Sequence, residues 1–238
     1  MNWQRAVKWS EFYAKKKSRK HIVLKILSLN SFNNMPRLLP TYGILIFVGL
    51  YIYSASLYPG GSPADPNSIG FDWSNNLWCN LMSEQAINGL DNPARPVSIF
   101  AVVLLCSSMT IFFFQFAKYF EPNNTWKLII KVTGVLAMIS AVFIFTAYHD
   151  VMTTILSVCG LFGIIAIIRA LHINKLTFFK VSGVLCLILI GLNNLFYYNQ
   201  QFTDYLAIVQ QLNFVLVLTW TIGLNLKMKN MKAAQPIK

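Results

Sequence analysis

Six predominantly apolar stretches dominate this chain and leave it few ways to fold. They run Leu38–Leu57, Val97–Ala117, Leu128–Ala147, Val151–Leu171, Leu176–Tyr197 and Tyr205–Leu226. An α-helix rises about 1.5 Å per residue, so roughly 20 apolar residues cross a hydrocarbon core ~30 Å thick. Lipid offers the backbone no hydrogen-bond partners, so a spanning segment is either a helix or part of a closed barrel. These runs are unbroken and lack the two-residue alternation of barrel strands, which selects helices. The expected fold class is therefore all-α: a polytopic membrane helical bundle with six transmembrane helices. Composition agrees, because only 12% of the 238 residues are charged, about half the share usual in soluble domains.

The formal charge of +12 raises the question of nucleic acid. The positions of the charges answer it, since nearly all of them flank apolar runs, and the expected partner is the lipid bilayer with no nucleic acid. Basic residues gather before the first span (Arg5, Lys8, Lys15, Lys16, Lys17, Arg19, Lys20, Lys25, Arg37), after the second, after the fourth and in the tail. Of the 20 Lys and Arg, Arg95 alone falls on the other face. The positive-inside rule then places both termini in the cytoplasm, as a multi-pass protein of the plasma (inner) membrane. Residues 1–37 form a basic cytoplasmic leader, 38–226 the six-helix domain with an outer loop at 58–96, and 227–238 a basic tail. The leader suits contact with anionic headgroups. No cleavable signal peptide is expected, and Met1 and Met35 are both open as starts. The cysteines Cys79, Cys106, Cys159 and Cys186 form neither a disulfide framework nor a CxxC pair.

Polar residues converge on the outer side in four separate parts of the chain. Asp65, Asp72, Glu84, Asn88, Asp91 and Arg95 lie in the long loop, and His149 and Asp150 between spans three and four. Asn193 and Asn194 lie in span five, and Gln210, Gln211 and Asn213 in span six. Polar groups at membrane depth normally face the bundle interior or a cavity. An outward-opening polar pocket beneath the loop follows, with Asp65, Asp72, Arg95, Asn193, Gln211 and Asn213 as ligand-binding candidates. His149, Glu84 and Asp150 are the catalytic candidates. Each residue also has a purely structural reading. Asp150 and Asp204 suit helix N-caps, Asp65-Pro66 and Asn92-Pro93 are turn dipeptides, and Pro96 suits a first helical turn. The loop is rich in aromatic residues and should pack down, with a short helix over Trp78–Asn88. Small residues at Thr133, Ala137 and Ala141, and at Ser157, Gly160 and Gly163, are expected to bring helices close together.

Three function classes follow. The lead is a membrane protein, not necessarily an enzyme, that binds a lipid headgroup or another small polar ligand on the outer face. The rival is a membrane-embedded lipid hydrolase with His149 as base and Glu84 or Asp150 orienting it. A serine nucleophile would come from Ser62, Ser68, Ser74 or Ser83, although no elbow motif is present. The third is a small-solute transporter, which needs a polar path through both halves of the bundle. The inner halves carry only Lys131, Arg169 and Lys180, all read as snorkelling. No metal site is expected: His21 and His172 lie on the opposite face from His149, and a mixed set of Cys79, Glu84, His149 and Asp150 has no recognisable spacing. No cofactor motif appears.

The stretches Tyr58-Pro59-Gly60-Gly61, Asp65-Pro66-Asn67-Ser68 and Leu81-Met82-Ser83-Glu84 carry one resemblance. Together they resemble the first outer loop of a bacterial six-helix membrane family known as domain of unknown function 998, itself distantly similar to the Frag/DRAM/Sfk membrane class. The resemblance implies six helices, a polar loop after the first, and a polar position near the end of span three, where His149 stands. It implies no activity.

Overall fold

The computed structural model describes residues 36–229 and Met231, so the expectations for the leader and for most of the tail lie outside the described residues. Six helices are each long and apolar enough to cross a membrane. They are α1 (Leu39–Ser56), α2 (Arg95–Phe120), α3 (Asn124–Val142), α4 (His149–Ile173), α5 (Thr177–Tyr198) and α6 (Thr203–Met228). No strand occurs among the described residues, only two isolated bridges in the loop. The fold is all-α, as the apolar runs require.

Helix ends differ from the apolar windows where local hydrogen bonding competes. Asn123 starts α3 early, because its side-chain oxygen accepts from the backbone N–H groups of Thr125 and Trp126. The same helix stops at Val142, before the apolar run ends. Thr146 takes over there: its backbone N–H and its hydroxyl both donate to the Phe143 carbonyl. Pro96 sits in the first turn of α2, where its missing N–H costs nothing. Asp150 and Asp204 do not cap. They lie inside the first turns of α4 and α6, whose N-cap positions are Tyr148 and Phe202. The helix expected over Trp78–Asn88 is only a 3₁₀ turn at Trp78–Met82, after which a Gln85–Asp91 bridge closes through Gly89 at φ 82°.

Sequence neighbours pack side by side, and α1 and α2 also meet α6, closing the bundle. Close approach needs small residues at specific crossings. A Cβ on Gly43 would stand 1.8 Å from the Ser108 hydroxyl on α2, and one on Gly134 would stand 2.4 Å from the Phe113 ring. Gly163 does approach Thr133 between α4 and α3. Other members of those two small-residue stripes, Ala141, Ser157 and Gly160, border a cavity instead. The outside is apolar, with Leu45, Ile46, Phe100, Phe162, Ile188 and Val215 exposed. An aqueous surface seldom carries so continuous an apolar face, and a bilayer requires one.

The start of α1 and the end of α6 meet at one end of the bundle, hereafter the termini end. Asn225 on α6 accepts from the Thr41 hydroxyl (2.6 Å) and donates to the Arg37 carbonyl (2.7 Å). Gln115 on α2 joins through its amide to the Pro36 carbonyl (3.2 Å). Thr41, Gln115 and Asn225 are all buried, so this half of the bundle is not apolar as the sequence suggested; its polar groups bond to one another. Arg169 does not snorkel either. Its guanidinium pairs with the fully buried Glu121 carboxylate at 2.6 Å and lies over the Trp126 ring. Glu121 also accepts from the Asn123 N–H, which ties the α2–α3 link to α4.

Removing one partner of a buried ion pair strands the other charge, at a cost on the order of 3 kcal/mol. Arg169→Met should therefore lower the thermal unfolding midpoint of the detergent-solubilised protein markedly. The double variant Glu121→Gln/Arg169→Met should recover most of the loss.

Candidate functional site

The 38-residue gap between α1 and α2 is folded down by its own turns. Gly60 and Gly61 (φ 140° and 85°) let the chain pass beside Ile69 and Asn88; a Cβ on Gly61 would meet the Asn88 nitrogen at 2.4 Å. Asp65 accepts from the Asn67 N–H, and Asp72 from the Ser74 and Asn75 N–H groups and the Asn75 side chain. The bonds from Asn75, with those from backbone N–H groups, hold the Asp72 carboxyl below its ordinary value of 3.8. Asn92 donates to the Leu81 and Ser83 carbonyls, and Ser98 donates to Leu81 from the first turn of α2. Arg95 pairs with Glu84 at 3.0 Å on the loop surface.

Trp78 clamps this loop to the bundle. Its ring is stacked between Tyr51 of α1 (4.6 Å between centroids) and Phe214 of α6 (4.4 Å). Its carbonyl accepts from the Tyr51 hydroxyl at 2.7 Å, and its N–H donates to Gln210 at 2.9 Å. Gln211 adds a bond to the Trp73 carbonyl.

Beneath Trp78 lies a cavity of about 320 Å³ bordered by the loop and all six helices. Most of its wall is apolar, from residues such as Phe47, Met82, Leu105, Met109, Leu156 and Phe214. The polar contribution comes from helical stripes: His149, Thr153 and Ser157 on α4, Asn193, Asn194 and Tyr197 on α5, Gln210 and Asn213 on α6. Of eight buried polar side-chain atoms without a protein partner among the described residues, four belong to residues bordering this cavity. They are Trp78 Nε1, Thr153 Oγ1, Asn193 Oδ1 and Asn213 Oδ1. Each such atom costs about 1–3 kcal/mol. Native proteins keep few of them, and a cluster asks for an explanation.

At the rim, His149 Nδ1 lies 3.1 Å from the Asp150 carboxylate, and the Tyr197 hydroxyl donates to the same carboxylate oxygen at 2.7 Å. An imidazole oriented in this way has the first requirement of a general base. The second requirement, a nucleophile, is not met among the described residues: no serine hydroxyl or cysteine thiol hydrogen-bonds to His149. Ser157 instead donates to Asn194 at 2.8 Å. Burial pushes the Cys79 thiol up to about 11, which keeps it protonated at neutral pH. Among the described residues no three His, Cys, Asp or Glu side chains come together in a metal-binding arrangement.

Of the polar residues singled out from sequence, His149, Asn193, Asn194, Gln210 and Asn213 border the cavity. Asp65 and Asp72 serve loop turns, Glu84 and Arg95 pair with each other, Gln211 holds Trp73, and Asp150 sits behind His149. Thr153 and Tyr197 escaped the sequence reading, although both fall on helical repeats with residues it had chosen: Thr153 four after His149, Tyr197 four after Asn193. The chain matches no family model, no curated protein and no solved structure.

Trp78→Ala should release the loop, raising hydrogen-exchange rates of amides across residues 58–94 by at least tenfold, since losing a packed tryptophan costs about 3 kcal/mol. Asp72 makes a separate prediction. A carboxyl depressed in the folded state stabilises above its unfolded pKa, and that contribution is lost as pH falls through the folded value. Loop protection should thus hold above about pH 4 and decline below it. Asp72→Asn should flatten that decline.

Proposed function

We infer that this integral membrane protein binds a small ligand or lipid headgroup in the cavity beneath its first long loop. The composition of the cavity wall carries this reading: His149, Thr153, Ser157, Asn193, Asn194, Tyr197, Gln210 and Asn213 set polar groups from three helices around an otherwise apolar space. The volume falls at the lower end of the ~300–1,000 Å³ typical of ligand sites. The binding reading is favoured over the hydrolase because the oriented His149 has no nucleophile beside it. It is favoured over a transporter because the buried polar groups at the termini end are bonded to one another and leave no open polar route.

The positive-inside bias supports a cytoplasmic termini end, which turns the cavity and loop to the outer face of a bacterial inner membrane. Kinship with the six-helix family known as domain of unknown function 998 belongs to the same proposal and rests on the three loop motifs.

Gly160 offers a direct test. It borders the cavity, and a Cβ built there meets nothing within 4 Å. Gly160→Leu should therefore fill the space without straining the bundle. Native mass spectrometry of the wild type, purified in mild detergent, should show a bound small molecule that Gly160→Leu lacks at unchanged thermal stability. Equal occupancy in both proteins, or a wild-type cavity holding water alone, would overturn the reading. A reporter fused at Lys238 that proves active only outside the cytoplasm would refute the orientation.

A further inference from the structure

Lysines gather where α2 and α3 lie side by side at the termini end. Lys127 and Lys131 are four residues apart on α3, as Phe114 and Lys118 are on α2, so each pair shares a helix face. The Lys131 ammonium lies over the Phe114 ring at 5.2 Å, which sets the two pairs against each other. The charges of Lys118 and Lys127 both bear on Lys131. Lys118 also lies over the Tyr119 ring at 5.5 Å, and the Arg37 guanidinium approaches the same ring at 4.9 Å. We propose that Lys118, Lys127 and Lys131 form a binding site for the phosphate of an anionic membrane lipid, on the face that α2 and α3 share.

Depth separates this cluster from basic residues that simply flank a span. Lys131 comes seven residues after Asn124, the start of α3, which puts its backbone ~10 Å inside the helix. A snorkelling lysine carries its ammonium out to water. This one is half-buried and holds its ammonium on a ring of α2. Like charges held together at such depth are costly, and their complement is an anion. At this end the one carboxylate among the described residues is Glu121, and it belongs to Arg169. At the edge of a bilayer the abundant anion is lipid phosphate, and basic residues set between membrane helices recognise it. Its oxygens accept from several ammonium groups at once, in charge-assisted bonds. Beside the lysines, Leu128, Leu136 and Ile139 of α3 are exposed and apolar, a surface for the acyl chains of the same molecule. Free phosphate would meet the same charges and gain nothing from that surface. The site lies at the opposite end of the bundle from the cavity and does not depend on it.

The test uses the full chain in mild detergent, titrated by native mass spectrometry with dioleoylphosphatidylglycerol, dioleoylphosphatidylcholine and inorganic phosphate. The anionic lipid should bind about tenfold tighter than the zwitterionic one and should resist displacement by millimolar phosphate, since each lysine near a headgroup contributes roughly fivefold. Lys118→Met/Lys131→Met keeps apolar stems over the rings, removes both charges, and should weaken the anionic lipid by about tenfold or more. Lys118→Arg/Lys131→Arg keeps the charges and should bind within about twofold of the wild type. Lys175→Met/Lys180→Met removes as much charge at the same end, around the start of α5, and should change binding by less than about twofold. Lys127→Met, which leaves both ring contacts in place, should cost about fivefold and carries the test if the double methionine variant does not fold. Equal loss in the two methionine pairs, equal binding of the two lipids, or no loss in Lys127→Met would overturn the site. Inorganic phosphate that binds by itself and displaces the lipid would overturn the lipid assignment.

Discussion

A polar group surrounded by hydrocarbon must find a partner nearby, and that requirement organises this molecule from backbone to cavity. For the main chain the partner is always the next helical turn, which is why six apolar runs become six helices. For side chains the partner has to come from another helix, and the bundle meets this need very differently at its two ends. At the termini end Thr41, Gln115 and Asn225 close on one another, and Glu121 closes on Arg169. Helices α1, α2, α4 and α6 are thereby fixed to each other where the chain enters and leaves.

The loop end is held by a different device. Trp78 is stacked between rings from the first and last helices and bonded to both by its backbone. Aromatic stacking and buried area hold the loop here, while its acidic residues are spent on local turns. Some polar residues around the cavity do meet across helices, as Ser157 of α4 donates to Asn194 of α5. The two ends of the bundle are thus tied by different means, polar bonds at one and aromatic stacking at the other.

The number of helices and the fold class were legible in the sequence because each depends only on local composition and length. Polar residues Asn193 and Asn213 were legible as inward-facing for a similar reason: a polar side chain within an apolar run has few other places to go. The same rule misled at Glu84, Asp65, Asp72 and Arg95. These lie outside the apolar runs, where water or a backbone N–H serves them equally well, and the loop used them for turns and a surface ion pair. Thr153 was hidden by its own chemistry, since a threonine in a membrane helix can satisfy itself on the preceding turn, as Thr133 does.

By itself, then, the sequence determined that the chain is a six-helix membrane bundle, because hydrophobic length acts residue by residue. Only the tertiary structure decided that Arg169 answers Glu121, that Trp78 bridges α1 and α6, and that Thr153, Asn193 and Asn213 are left without partners around a shared space. Those outcomes depend on which residues, far apart in the chain, the packing brings within hydrogen-bonding distance and which it holds just beyond it.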